Sequence, residues 1–181
     1  MVWLDSCLDF ASPRKYDEKI MSTYVESEQI RQAMRLWASG VTVITAAYEN
    51  EWHGMTVSSF ASISLEPPLL MVALQKTTRT SRLVLRAQAF GVTILSDGQK
   101  ELSDRFAGRA DESEDRMEGV ITDMLETGAP FIRGGLAYFD CRLRQTVDAG
   151  TSLIFIGEVL AARQFEGRPL IYHNRQYVRI S

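Results

Sequence analysis

Three short stretches of this 181-residue chain carry residue types that can do chemistry. The first is His53-Gly54-Met55-Thr56-Val57-Ser58-Ser59-Phe60. A strand that runs out into glycine and hydroxyls exposes backbone N–H groups and short donors, which suits a phosphate or the polar edge of a flat heterocycle. Gly54 has no Cβ and so permits close approach of a flat ligand. The same stretch also reads as a serine-rich sheet edge with a loop. The second is Gln75-Lys76-Thr77-Thr78-Arg79-Thr80, which follows an apolar run and leads into a helix pattern. Its hydroxyls, two cations and helix N–H groups fit a phosphate; an ordinary N-cap turn is the alternative. The third is Arg105-Phe106 beside Gly108, which offers one charge and one ring and also reads as a surface helix end.

Other chemistries have no support. The chain lacks GxGxxG, a Walker A motif and GxSxG, which argues against dinucleotide or triphosphate binding on an α/β sheet and against a hydrolase elbow. His53 and His173 are its two histidines, and neither has a cysteine or a second histidine at ligand spacing, so no metal site is expected. Cys7 and Cys141 do not make a disulfide framework, and Cys141 reads as a packed small hydrophobe in mid-strand. The net charge of −3 argues against a nucleic-acid partner. No apolar run approaches the ~20 residues that span a bilayer, and the N-terminus lacks the apolar core of a secretory signal. A cytoplasmic, thiol-reduced protein is expected.

The elements that must position these residues follow from periodicity. Residues 1–22 show no clear period and read as an N-terminal extension, with Met21 an alternative start; residues 23–181 read as one domain. Ser27 is expected to cap a helix whose Ile30, Ala33, Met34 and Trp37 share a face, with Gly40 closing it. Val41 to Tyr48 alternates as a strand. Trp52 to Leu65 is too polar for a buried strand, and Pro67-Pro68 stops it. Leu69 to Leu74 is a central strand, and Thr80 caps a helix burying Leu83, Val84 and Ala87. Phe90 to Leu95 is a strand, and Gln99 to Phe106 a short helix ended by Gly108. Residues 101–118 hold seven acids and three arginines, so Asp111 to Glu118 reads as a lid or as a solvated loop. Gly134 to Val147 and Ser152 to Ala162 are long strands, and Leu170 to Tyr172 and Tyr177 to Ile180 short ones. Strands that follow each other without crossover helices predict a mainly β, antiparallel small barrel with peripheral helices.

Taken together, the pieces resemble the flavin reductase-like family, the FMN-binding split barrels that serve as reductase components of two-component monooxygenases. The matching pieces stand in order: Ala38 to Thr45, His53 to Phe60, Ser64 to Leu69, Thr78-Arg79-Thr80, Arg105 to Gly108, Gly150 to Val159, and Pro169 to His173. They cover the chain from about residue 28 to its end. The resemblance implies a six-stranded antiparallel split barrel of Greek-key type, a homodimer, and FAD or FMN bound near the dimer interface. It implies flavin contacts at Thr56, Val57, Ser58 and Ser59, at Ala73, Leu74, Gln75, Thr78 and Thr80, and on the phosphate side at Arg105 and Phe106. It places Ser152, His173 and Arg175 near the nicotinamide of NADH or NADPH.

One departure matters. Where many members read Gly-Asp-His or Gly-Thr-His before the long strand, this chain reads Gly150-Thr151-Ser152. Ser152 keeps a hydroxyl and loses the ring. The implied function is an NAD(P)H-dependent flavin reductase whose reduced flavin diffuses to a separate monooxygenase. The flavin supplies the hydride chemistry, so no obligatory general base is needed. A flavin- or haem-binding barrel without reductase turnover (carrier, sensor or storage protein) and a pyridoxamine-phosphate-oxidase-like enzyme are the alternatives.

Overall fold

The computed structural model describes residues 25–108 and 115–179. The expected extension over 1–22, with Cys7 and Met21, lies outside the described residues, as do residues 111–114 of the acidic stretch and Ile180. The chain divides into two units, residues 1–34 and 35–181. In the first, α1 (Ser27–Met34) buries none of its residues and carries a Glu28–Arg31 ion pair of 3.6 Å on its surface. The expected helix is therefore shorter than its apolar period. It starts on Glu26, whose carbonyl accepts from the N–H groups of Gln29 and Ile30, and it stops before Trp37. Gly40 is not its end: it stands in a strand, because extended pairing satisfies its backbone groups instead.

The second unit is built of strands. In chain order these are β1 (Ser39–Gly40), β2 (Thr42–Tyr48), β3 (Glu51–Val57), β4 (Phe60–Leu65), β5 (Pro68–Gln75), β6 (Ala89–Ile94), β7 (Thr122–Asp123), β8 (Phe131–Ile132), β9 (Ala137–Ala149), β10 (Ser152–Gln164), β11 (Ile171–His173) and β12 (Gln176–Val178). Two helices punctuate them, α2 (Arg79–Ala87) and α3 (Lys100–Phe106). The main sheet has seven strands in the order β3-β2-β6-β9-β10-β5-β4, and every pairing in it is antiparallel. A three-stranded sheet, β1-β11-β12, and the β7–β8 pair complete the unit. Among the described residues no helix is long and apolar enough to cross a membrane.

The sheet's two edges are joined by two residues. β3 ends at Val57 and β4 begins at Phe60, on opposite edges of the strand order. Three Cα–Cα steps reach at most about 11 Å, so the edges must meet there and the sheet must roll. The rolled interior holds Ile44, Leu70, Val72, Leu74, Phe90, Cys141 and Phe155, with Met55 and Val57 of β3 and Phe60 of β4 packed on the same cluster. The polar, serine-rich sequence of 52–65 becomes legible here: it forms both edges, where strands need only one apolar face.

α2 packs against the rolled sheet through Leu83 and Val84, both buried, as expected. Its cap is Thr78, two residues earlier than the expected Thr80: the Thr78 Oγ1 accepts from the N–H of Ser81 at 3.3 Å. α3 covers the other face of β2 and β3 with Phe106, beside Val41, Val43, Leu95 and Ile132. Gly108 follows it in the left-handed region (φ +77°), which favours glycine. The β11–β12 turn puts Asn174 and Arg175 both at positive φ, the backbone of a two-residue hairpin whose twist suits the strands. Cys141 is buried as expected, and burial pushes its thiol up to about 12.

Gly157 of β10 shows how tightly the roll is packed. A Cβ there stands 2.6 Å from Phe90 Cζ and 2.8 Å from the Cys141 Cβ. Gly157→Ala is expected to cost about 1–3 kcal/mol in a urea unfolding titration, as other overpacked cores do. An unchanged midpoint would mean that the Phe90 ring swings aside without cost.

Candidate functional site

Two clefts flank the free edge of β3. The first, about 380 Å³, is lined by His53 and Met55 of β3, Ala73, Leu74 and Gln75 at the end of β5, Thr78 to Thr80 and Arg82 at the start of α2, Phe106 to Gly108, Arg116, and Ser152 at the start of β10. The second, about 290 Å³, is lined by Val41, Thr56, Val57, Ser58, Ser103, Ala107, Tyr172 and Tyr177. They share Ala107, and consecutive β3 residues wall them, Met55 on one side and Thr56 on the other.

The register explains why distant stretches of sequence arrive here. Ser152 pairs with Gln75 and Ala73 with Ile154, so the start of β10 and the end of β5 are one corner of the sheet. Lys76 ties that corner to β9 through a 2.8 Å ion pair with Asp148. Thr78 Oγ1 donates to the Gln75 carbonyl (2.9 Å) and fixes the turn into α2. His53 is anchored from β3, its Nδ1 lying 2.7 Å from Thr80 Oγ1, and both residues are buried.

The expected flavin contacts divide between the two clefts. Ala73, Leu74, Gln75, Thr78, Thr80 and Phe106 line the larger one. Thr56, Val57 and Ser58 line the smaller. Ser59 lines neither: its hydroxyl donates to the Ala73 carbonyl at 2.6 Å and pins the β3–β4 crossing to β5. Several expected contacts are engaged with the protein itself. Thr56 Oγ1 donates to the Ser103 carbonyl (2.8 Å), which fastens β3 to α3. Arg105 turns its Nη2 to the carbonyls of Asp115 (3.1 Å) and Glu118 (2.6 Å), so it braces the 115–118 turn. Gly54 differs from expectation. Its open side faces Phe106, Thr45 and the Ile44 carbonyl at 3.1–3.3 Å from a built Cβ, so the glycine admits the Phe106 ring rather than a ligand.

The nicotinamide group is not brought together within one chain. Ser152 stands in the larger cleft. His173 and Arg175 stand at the β11–β12 turn of the three-stranded sheet and line neither cleft. The second cleft does take Tyr172 and Tyr177 from that sheet, rings packed edge to face at 5.3 Å. Tyr177 is held by hydrogen bonds of 2.9 Å to Ser103 Oγ and to Asp104 Oδ1 of α3.

Two residues of the larger cleft escaped the sequence reading, Arg82 and Arg116; Arg79 was read as one of the two cations of the Gln75–Thr80 phosphate cluster, and His53 as the head of the first polar stretch without a role of its own. Arg116 is 7% exposed, and its Nε has no hydrogen-bond partner among the described residues. An uncompensated buried guanidinium is costly and calls for an anion. Arg79 and Arg82 line the same cleft, so three cations surround it. Burial pushes His53 down to about 4, and the charges of Arg79 and Arg116 add to the shift. At neutral pH the ring is therefore uncharged, a hydrogen-bonding wall beside a cationic one.

A flavin mononucleotide fits these residues. Its phosphate needs cations and hydroxyls, which Arg116, Arg82 and Thr78 offer; its flat ring system needs an apolar slot with a polar rim, which Met55, Ala73 and Leu74 with the unpaired β3 edge offer. The signal for Arg116 was weak because it sits in a run of charges that reads as solvated.

The chain is similar to known proteins over most of its length. A family model described as the flavin reductase like domain matches residues 34–181. The NADH-dependent flavin reductase StyB of Pseudomonas fluorescens is 36% identical over 164 residues, 88% of this chain and 94% of that protein. The reductase component of 4-hydroxyphenylacetate 3-monooxygenase of Thermus thermophilus is 37% identical over 154 residues, 84% of this chain and 96% of that one. Among solved structures, the NADH:FAD oxidoreductase SgcE6 of Streptomyces globisporus C-1027, in complex with NAD and FAD fragments, superposes with a TM-score of 0.80 at 29% identity, over 87% of this chain and 96% of that one. With the matched region spanning both clefts and every strand of the rolled sheet, the chain belongs to the flavin reductase-like domain family.

Proposed function

We propose that this chain is an NAD(P)H:flavin oxidoreductase that supplies reduced FAD or FMN to a separate monooxygenase. The observation that carries the reading is the buried, partnerless Arg116 Nε in a cleft on a chain of the flavin reductase-like family. When bound, the flavin accepts the hydride of the nicotinamide. The chain's own residues bind and orient. Arg116, Arg82 and the Thr78 turn hold the phosphate; Arg105 acts through the 115–118 turn that carries Arg116. Met55, Leu74 and the β3 edge at Thr56, Val57 and Ser58 hold the ring system. Ser59 and Thr80 position the walls, one through Ala73 and the other through His53. Ser152, with His173 and Arg175, takes the nicotinamide side. Because His53 stays neutral, the cleft's positive charge comes from its arginines.

The finer architecture belongs to the same proposal. β3 and β4 are one run of chain bent at Ser58-Ser59; counted as one strand, they leave six strands closing a split barrel of Greek-key type. The barrel works as a homodimer in the cytoplasm. Supporting this, β4 leaves one sheet edge unpaired and exposes Ile63 and Leu65, and an apolar edge of that kind is normally covered. A second copy brings a second β11–β12 turn, which offers His173 and Arg175 a route to a cleft that their own chain does not give them.

Mixing the purified protein with NADH or NADPH and FAD or FMN is expected to bleach the absorbance of both partners in at least one of the four combinations. No turnover in any combination overturns the function. In sedimentation equilibrium the protein is expected at twice the 20.4 kDa chain mass at micromolar concentration; a species of single-chain mass refutes the dimer. Ser152→His is expected to lower the Michaelis constant for NADH or raise turnover by about two- to tenfold, the worth of one hydrogen bond, with flavin affinity unchanged. If His173 carries the contact instead, His173→Ala is the damaging change and Ser152→His is silent. Unchanged NADH kinetics in both variants removes both residues from the nicotinamide.

A further inference from the structure

A third pocket adjoins the Arg116 cleft, and the residues between the two say what it is for. It has a volume of about 640 Å³ and lies at the β2–β3 hairpin, lined among others by Tyr48, Glu51, Trp52, Arg79, Arg86 and Asp115. Arg79 lines both this pocket and the cleft. Asp115 faces this pocket while its chain neighbour Arg116 faces the cleft, so the two spaces share a second wall.

We propose that this hairpin pocket holds the adenosine end of FAD and makes the chain select FAD over FMN. The proposal rests on the reading of the Arg116 cleft as the flavin site. FMN ends at the phosphate that the cleft's arginines attract. FAD continues past that phosphate into a second phosphate, a ribose and an adenine. From the cleft, that continuation meets the hairpin pocket across Arg79, a cation placed for the second phosphate.

The walls suit a nucleoside. Trp52 lines the pocket and is 40% exposed, which leaves indole surface for a base to stack on. Its neighbour Tyr48 cannot offer the same face, because the Arg86 guanidinium already lies over that ring at 4.5 Å from its centroid. Glu51 binds Arg79 Nε (2.7 Å) and Arg86 Nη1 (3.1 Å), and its own carboxyl is held below the usual range by hydrogen bonding to Arg79. That two-armed pairing stiffens the boundary between pocket and cleft. Asp115 accepts from the Met117 N–H through Oδ1 (2.9 Å), which turns its carboxylate into a fixed acceptor at the pocket rim, suited to ribose hydroxyls.

NADH carries the same adenosine diphosphate, so the test must tell the two sources apart. Equilibrium binding of FAD, FMN and NAD⁺ to the full chain, followed by quenching of flavin and tryptophan fluorescence, separates them. The native chain is expected to bind FAD more tightly than FMN. Trp52→Ala is expected to raise the FAD dissociation constant by about five- to hundredfold, the range of one lost base–aromatic stack, and to leave FMN and NAD⁺ unchanged. Trp52→Phe keeps a ring and is expected to restore FAD binding to within a few-fold. Equal affinity of the native chain for FAD and FMN overturns the proposal. So does a Trp52→Ala protein that weakens FAD and FMN alike, or one that weakens NAD⁺ instead. A native chain that binds neither FAD nor FMN removes the flavin reading of the cleft itself, an outcome distinct from loss of FAD selectivity alone.

Discussion

The two-residue link between opposite edges of the main sheet is the constraint from which the rest follows. Val57 and Phe60 are joined by Ser58 and Ser59, yet they belong to the first and last strands of a seven-stranded order. A flat sheet of seven strands would set those edges about 29 Å apart at ordinary strand spacing. The link spans about 11 Å at most. Rolling is therefore imposed by connectivity, and all seven strands contribute apolar side chains to one interior cluster. The roll closes at Ser58-Ser59 but leaves β3 without a second partner along most of its length. An edge of unpaired backbone groups next to the β5–α2 corner is what the clefts are made of.

The charge arrangement follows from that geometry. The β5–α2 turn and the 115–118 turn come to the same side of β3, and each brings arginines. Arg79 is paired through its Nε with Glu51, and Arg105 is occupied with backbone carbonyls. Arg116 has neither compensation at its Nε, and it is buried. A protein stabilised only for folding would replace such a residue with an apolar one of similar volume. Its retention makes sense when an anion arrives in the working state. Burial, with the arginines' field added to it, depresses His53, whose ring then acts as a neutral partner of Thr80 rather than as an acid or base. A reaction whose chemistry lies in the flavin has no use for a titrating side chain there.

Much of this was legible in the sequence, and the failures have physical causes. Strands β2, β5, β6, β9 and β10 announce themselves through β-branched alternation or unbroken apolar runs. The 52–65 stretch was ambiguous because an edge strand is polar by necessity, so composition cannot separate it from a loop. The helix before β1 was read too long because Trp37 falls in phase with Ile30 and Met34 by coincidence; the chain leaves the helix at Met34, and Trp37 stays 67% exposed. Gly54 was read as room for a ligand, but what a glycine makes room for depends on a ring fifty residues away, and Phe106 takes the space. Arg105 and Arg116 look alike in sequence. One spends its donors on carbonyls and the other keeps Nε unspent, a difference that lies in backbone paths and not in residue type.

Ser152 links the legible part to the part that was not. Its position is fixed by register: it pairs with Gln75 on one side and Ala149 on the other, at the mouth of the β9–β10 hairpin. A residue so placed faces the cleft whatever its side chain, so the loss of a ring at this position changes chemistry without changing geometry. The Gly150 turn beside it is in the left-handed region (φ +69°), which favours glycine. Backbone pairing thus fixes where residue 152 stands, and its side chain acts on the surface of the larger cleft rather than on the register of β5, β9 and β10.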